Sequence, residues 1–344
     1  MNPKISVVMP VYNTKAEYLK EAVNSILNQS FADFELLIIN DASTKNETLD
    51  VLNSIKDPRT KIFSFTNTEE RVKARNFGLE HARGEYIAFM DDDDVSYSSR
   101  LEKEFNYLNA HPEVDCLGAW CNIIGEDKDN FGQYAHLKGS QQIELYLMFK
   151  TCYFPISTVL IRRNKLEQFN IRFRDEYLLS EDYDFWLQMI GKLKFDTLEE
   201  ILGAYRFHFG NTTHSKHSIQ VAQNFKCRFD FFKNYFTCVN NHEFLVKSLD
   251  SGKVNNFNDF IQLHEGLLTV IKFLEEKGYS KQNINKVLRI NIRNLYYHIH
   301  DFKSQLTLFN SFLTKYFNLP LSWRLFCLIT RHAHYLKRSQ ETIW

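Results

Sequence analysis

The chain has 344 residues and balances 42 Lys and Arg against 42 Asp and Glu. That balance removes any global electrostatic case for nucleic acid, and the length leaves room for one large domain or two smaller ones. Six cysteines (116, 121, 152, 227, 238 and 327) form no CxxC pair and no zinc spacing, the pattern of reduced thiols in a cytosolic compartment.

The chain opens MNPKISVVMPVYN, in which Ile5–Met9 is a continuous apolar, β-branched run that predicts a buried strand. The run is too short for a secretory leader, so no signal peptide is expected. No uncharged apolar stretch approaches the roughly 20 residues of a membrane-spanning helix. Glu17–Asn28 follows, with Leu19, Val23, Ile26 and Leu27 at helical spacing. Phe34–Ile39 predicts a second buried strand, Thr48–Ile55 a helix, Ile62–Phe65 a short strand, and Val72–His81 a helix with Gly84 as its stop. Glu85–Met90 is the next strand, and a helix begins near Arg100 behind Ser96, Ser98 and Ser99 as candidate caps. Continuous apolar strands between amphipathic helices predict an α/β fold, Rossmann-like, with a mostly parallel sheet covered on both faces. Residues 126–215 are less regular: a polar loop Gly125–Gly139, a strand-like run Ser157–Ile161 and a helix Glu181–Ile190. From about 219 the pattern is helical throughout and aromatic-rich. The expected domains are therefore 1–218, divided near 125, and an all-helical 219–344.

Ligands of open parallel sheets bind beyond the carboxyl ends of the strands. Three such exits carry groups that a core would reject: Pro10, Val11, Tyr12 and Asn13; Asn40, Asp41, Ala42 and Ser43; and Asp91, Asp92, Asp93 and Asp94. Four adjoining carboxylates repel one another unless a cation sits among them. Asp91 and Asp93, spaced DxD, offer oxygens to a hard divalent ion, Mn2+ or Mg2+, which takes one or two carboxylates and completes its shell with water and substrate phosphates. Tyr12 offers a ring on which a base stacks, and Asp41 an acceptor for a base N–H. Each residue alone has a plainer reading: Tyr12 as a packing residue, Asp41 as a turn cap with Ser43, the aspartates as a solvated loop. Their convergence at three strand ends favours a nucleotide diphosphate with a metal.

At these positions the chain resembles the family 2 glycosyltransferases, nucleotide-sugar enzymes with the GT-A fold. The segments SVVMPVYN, SILNQSFADFELLIINDAST, KARNFGLEHARGEYIAFMDDDD and LSEDYDFWLQM stand in family order over about residues 4–215. The second departs from the family pattern, since Asn40-Asp41-Ala42-Ser43 stands where two acids precede Gly-Ser. The resemblance implies that Pro10, Val11 and Tyr12 line a uridine pocket with Asp41 as uracil contact. It implies that Arg75 and Asn76 touch the nucleotide or diphosphate, a solvated helix face being the alternative for Arg75. Asp91 then meets ribose or metal and Asp93 holds the metal. Asp92, on the nucleotide side, stands where a small residue is usual, and Asp94 matches an extra acid of unassigned role. In LSEDYDFWLQM the resemblance implies Asp182 as catalytic base, with Glu181 the second choice. Ser180 can cap that helix, whose dipole favours ionised acids in the first turn, and an ionised carboxylate is what accepts a proton from a sugar hydroxyl. Asp184 is read as a surface residue, and Trp186 as packing inward, with an acceptor-sugar platform as the alternative. AYRFHFGNTTHS resembles the segment that ends many family catalytic domains. Its His208 would complete the metal shell or meet the diphosphate, ahead of His214 and His217.

The reaction so implied is inverting transfer of a sugar from a UDP-sugar to a hydroxyl of a glycan or lipid-linked glycan acceptor, in lipopolysaccharide, capsule or another surface polysaccharide. From Lys315 to Gln340 there is no acid, while Lys315, Arg324, Arg331, Lys337 and Arg338 interleave with Trp323 and aliphatic residues. Helical spacing puts Arg324, Arg331 and Arg338 on one stripe, which fits docking on an anionic membrane surface. Packing on the catalytic domain and a homodimer are the alternatives. The expected location is cytoplasmic, at the inner face of the cell membrane. A sugar nucleotidyltransferase, the rival enzyme, needs a Gly-rich phosphate loop that PVYNTKAEY lacks. A non-catalytic glycan-binding or scaffold relative has no need of an intact DxD and Glu181-Asp182.

Overall fold

A computed structural model of the chain describes residues 2–208, 216–251 and 257–288. The two most apolar segments, β1 (Ile5–Val11) and β2 (Phe34–Asn40), are buried at every residue and pair in parallel within a nine-stranded sheet. β3 (Thr60–Ser64) adds to β2 and β4 (Tyr86–Phe89) to β1, both in parallel. Between them run α1 (Ala16–Leu27), α2 (Asn46–Ser54) and α3 (Glu70–His81). α1 turns Leu19, Ala22, Val23 and Ile26 inward, the i, i+3, i+4, i+7 stripe of a helix on a sheet. α3 lies so close to the sheet that a Cβ at Gly78 would stand 2.3 Å from Val8 Cγ1, so a bare α-carbon is required there.

Past β4 the sheet changes character. β5 (Val95–Ser96) and α4 (Arg100–Ala110) lead to β6 (Cys116–Ile124), β7 (Asn130–Tyr134), α5 (Ser140–Phe149), β8 (Val159–Arg162), α6 (Arg163–Gln168), α7 (Glu181–Met189) and β9 (Phe195–Arg206). The strand order is β3-β2-β1-β4-β8-β6-β9-β5, with β7 on β6. β8 is antiparallel to β4 and β6, β6 and β9 run parallel, and β5 closes antiparallel on β9. The parallel arrangement expected from sequence is therefore confined to the first half. The expected polar loop contains β7, which is exposed at every residue. β9 carries exposed Glu199 and Glu200 where its pairing with β6 shifts register.

Under the core, Glu35 accepts from Ser6 Oγ at 2.8 Å, Arg83 Nη2 at 2.9 Å and Lys61 Nζ at 3.1 Å. Burial pushes the Glu35 carboxyl up, but these bonds outweigh it and hold it below the usual value.

The chain divides into two compact units, residues 1–228 and 229–344, a later boundary than the expected 218. The reason lies in α8 (His217–Tyr235), whose first half is tied to the first unit. Cys227 Sγ donates to Ser180 O at 3.8 Å, and Arg228 Nη1 to Lys150 O at 2.5 Å. The described part of the second unit is helical, with α9 (His242–Ser251) and α10 (Phe257–Glu276) and aromatic contacts among Tyr235, Phe236 and Phe273. Among the described residues no helix is long and apolar enough to cross a membrane. The basic stretch 315–340, like His214, lies outside the described residues.

Candidate active site

Three strand ends and the starts of two helices open onto one cleft of about 740 Å3. β1 delivers Pro10, Val11 and Tyr12, β2 delivers Asp41, and β4 delivers the four aspartates. α3 brings Arg71 and Arg75, α7 brings Glu181 and Asp182, and the end of β9 brings Tyr205 and His208. Asn13, Glu70 and Leu179 on this cleft hold positive φ angles of 52°, 68° and 73°, a conformation that costs a non-glycine residue roughly 1–2 kcal/mol.

The four aspartates have four environments. Asp91 Oδ1 accepts from Arg75 Nη2 at 2.8 Å. Asp92 Oδ2 accepts from Tyr12 N at 3.1 Å and from the Thr14 hydroxyl, joining the loops after β1 and β4. Asp93 Oδ2 lies 3.0 Å from His208 Nε2. Asp94 is buried and accepts from Ser157 Oγ at 2.6 Å and Arg206 N at 2.9 Å. Burial and then the Asp93 charge push Asp92 up to about 7. Burial, then Asp93 and Asp91, push Asp94 well above the usual carboxylate range. Asp94, without a role from sequence, is an anchor. It fixes the end of β9 and orients Ser157, whose Oγ also accepts Asp91 N at 2.9 Å.

Among the described residues no three His, Cys, Asp or Glu side chains already form a metal cage. Asp91, Asp93 and His208 nonetheless fit a hard divalent ion in their chemistry. Asp93 and His208 adjoin, Asp91 faces the same cleft, and the charge of Asp93 and Asp91, which adds to burial in raising Asp92 and Asp94, is what a cation relieves. An ion that relies on substrate phosphates for part of its shell needs no complete protein cage.

At the start of α7, Glu181 is 3% exposed and pairs with Arg75 Nη1 at 3.1 Å and Arg71 Nε at 3.7 Å. Asp182 is bonded differently: Oδ1 accepts Tyr183 N at 2.7 Å and Oδ2 accepts the Cys152 thiol at 3.5 Å. Burial, then the Glu181 charge, push Asp182 above its ordinary value, so the helix dipole expected to keep it acidic is outweighed. A carboxylate raised in this way is the stronger proton acceptor, whereas Glu181 is engaged by two guanidiniums. Arg75, 1% exposed and stacked over Phe173 at 5.3 Å, thus bridges the aspartate run to α7.

Several sequence expectations change here. Asp41 lines the cleft but caps α3, its oxygens accepting Glu69 N at 2.6 Å and Glu70 N at 3.1 Å. Asn40 caps the turn in its place, accepting Ser43 N at 3.0 Å. Asn76 is not among the residues that line the cleft: its Nδ2 donates to Phe173 O at 2.8 Å and its Oδ1 accepts Phe173 N at 3.0 Å, which occupies both ends of the amide. Trp186 is wholly buried against Phe154 and Phe185 and has no ring face for an acceptor. Asp184 is not a surface residue; it is buried and held by Arg174 and by Gln188 Nε2 at 2.8 Å. Ser180 precedes α7, but its hydroxyl donates to Gln220 O at 3.4 Å and leaves the helix uncapped.

Residues 6–169 match the family described as Glycosyl transferase family 2. An uncharacterised glycosyltransferase of Haemophilus influenzae is 35% identical over 196 residues, which cover 56% of this chain and 74% of that one. The chain belongs to glycosyltransferase family 2. This glycosyltransferase is also 28% identical over 220 residues to Escherichia coli WfaP, a UDP-Glc:alpha-D-GlcNAc-diphosphoundecaprenol beta-1,3-glucosyltransferase, with 64% of this chain and 83% of WfaP covered. Its fold is GT-A. S. aureus TarS 1-349, solved in complex with UDP-GlcNAc, matches it with a TM-score of 0.52 and 18% identity over 85% of this chain and 89% of TarS.

Two cleft residues of the glycosyltransferase, Arg71 and Thr14, and Cys152 behind Asp182 carry roles that the sequence did not assign. Arg71 shares a helix face with Arg75 at i, i+4 spacing, a signal that was there to be used. Thr14 and Cys152 carry none, because their contacts to Asp92 and Asp182 span distant parts of the chain.

Proposed function

We propose that this glycosyltransferase moves a sugar from a UDP-sugar to a hydroxyl of a lipid-linked glycan, with inversion, in the synthesis of a cell-surface polysaccharide. The observation that carries the reading is a single cleft in which Arg75 ties Asp91, the first of the four aspartates, to the helix bearing Asp182. The donor and acceptor named for WfaP, and the UDP-GlcNAc bound by TarS, support a UDP-sugar and a lipid-linked acceptor.

Tyr12, half exposed, presents its ring to uracil beside Pro10 and Val11, and Asp41 accepts the base N–H. Arg71 and Arg75 attract the diphosphate. Asp91, Asp93 and His208 would hold Mn2+ or Mg2+, and that ion would supply positive charge to offset what builds on the departing diphosphate. Asp182 takes the proton of the acceptor hydroxyl while that oxygen bonds to the anomeric carbon and the bond to the diphosphate breaks on the opposite face. One such displacement inverts the centre. Arg75 and Arg71 occupy the Glu181 carboxylate, leaving Asp182 as the base.

The test incubates the full chain with Mn2+, GlcNAc-diphosphoundecaprenol and UDP-glucose, UDP-galactose, UDP-GlcNAc or UDP-GalNAc, with GDP-mannose alongside. UDP release from one donor and an inverted linkage by NMR are expected. No release from any UDP-sugar, the result a scaffold protein gives, overturns the reading, as does a retained configuration. The reading also puts the protein in the cytoplasm at the inner membrane face, docked through the basic stretch 315–340, with a homodimer through the same stretch as the alternative. Flotation with phosphatidylglycerol vesicles at low salt is expected to carry the full chain upward; failure to float removes the membrane contact.

A further inference from the structure

β7 is exposed at every residue, so its sequence serves no core. It ends in Tyr134, 42% exposed, whose ring meets Tyr205 edge-on at 6.1 Å and lies parallel to His136 at 6.1 Å. Tyr205 lines the cleft. His136 packs on Tyr153 at 4.6 Å, and Tyr153 follows Cys152, whose thiol touches Asp182 at 3.5 Å. Tyr146 meets Tyr153 edge-on at 5.0 Å. A row of rings therefore runs from the cleft wall to the loop that contacts Asp182.

The row is electrically unlike the rest of the cleft. Burial holds the Tyr146 and Tyr153 hydroxyls above the usual phenol value, so they stay neutral where the nucleotide end gathers four carboxylates and two guanidiniums. A diphosphate gains nothing from neutral rings. A sugar ring, with apolar C–H faces and hydroxyls at its rim, is matched by aromatic faces that end in hydroxyls.

We propose that Tyr134 and Tyr205 form the acceptor subsite, on which the uncharged sugar ring bearing the attacking hydroxyl stacks beside Asp182. The assignment rests on the transferase reading above and adds where the acceptor lies and which part of it is recognised. Continuity with the cleft through Tyr205, and the approach of the row to Asp182, commit it to the acceptor and not to the donor.

Saturation-transfer NMR on the full chain with Mn2+, UDP and the methyl glycosides of glucose, galactose, GlcNAc and GalNAc reads the subsite directly. At least one glycoside is expected to bind. Tyr134→Ala should weaken it roughly 3- to 10-fold, and Tyr134→Phe should keep wild-type binding, since the ring carries the contact. A thermal melt checks that Tyr134→Ala is folded. Equal binding by wild type and Tyr134→Ala, or no glycoside bound by wild type, overturns the subsite. UDP binding is titrated separately: wild type that binds a glycoside through Tyr134 but binds no UDP supports the subsite and defeats the UDP-sugar reading.

Discussion

Two groups of acids, four in a row after β4 and three at the start of α7, are compensated in opposite ways. At α7, Arg71 and Arg75 pair with Glu181 and Arg174 with Asp184, and Asp182 is held by a backbone N–H and a thiol. After β4, Arg75 pairs with Asp91 and His208 with Asp93, while Asp92 and Asp94 are met by hydroxyls and backbone N–H groups. The balanced group singles out one carboxylate, which suits proton transfer. The under-compensated group is short of positive charge, which suits a divalent ion.

Asp182→Asn breaks this contrast hardest. Turnover should fall about 10²- to 10⁴-fold with UDP affinity unchanged by calorimetry; wild-type turnover would move the base elsewhere. Next comes the other group. Chelation by EDTA, or Asp93→Asn, should lower the rate about 10²- to 10³-fold, with Mn2+ restoring the chelated wild type in steady-state assays but not the variant. Indifference to EDTA would erase the distinction. Arg75→Gln tests the bridge between the groups. It strips a buried acid of its main partner, so urea titration should show a loss of about 3–5 kcal/mol, and Arg75→Lys should recover only part of it.

The smallest effects sharpen the comparison, one from within the α7 group and one from outside it. Asp184→Asn weakens a buried charge-assisted contact and should cost roughly 1–3 kcal/mol with turnover intact. Glu35→Gln should cost a similar amount at neutral pH. The Glu35 carboxyl is held below its ordinary 4.5 in the folded chain, so its contribution is present above about pH 4.5 and is lost as pH falls through the lower folded value. Melting temperatures of wild type and variant should therefore converge in acid.

The first half of the fold was legible because its strands are buried on both faces and its helices show a clear stripe, as β1, β2 and α1 do. β7 and β9 were not, since strands of a mixed sheet with a solvated edge mix polar and apolar residues without a clean period. The cleft residues were legible as types at strand ends. Their tasks were not. Asp41 caps a helix 28 positions away, and Asp94 bonds Arg206 N across 112; such partners are set by topology and leave no local pattern. The same holds for Asn76 and Trp186, whose neighbours in motif line the cleft while they themselves brace the core.

One hydrogen atom at position 78 governs chemistry it never meets. The Val8 methyl against Gly78 sets how deeply α3 sits, and α3 carries the guanidinium shared by both acid groups. A single added methyl would lift the helix and loosen that grip at two places together, so the spacing between the aspartate run and the start of α7 is calibrated by a van der Waals contact inside the scaffold.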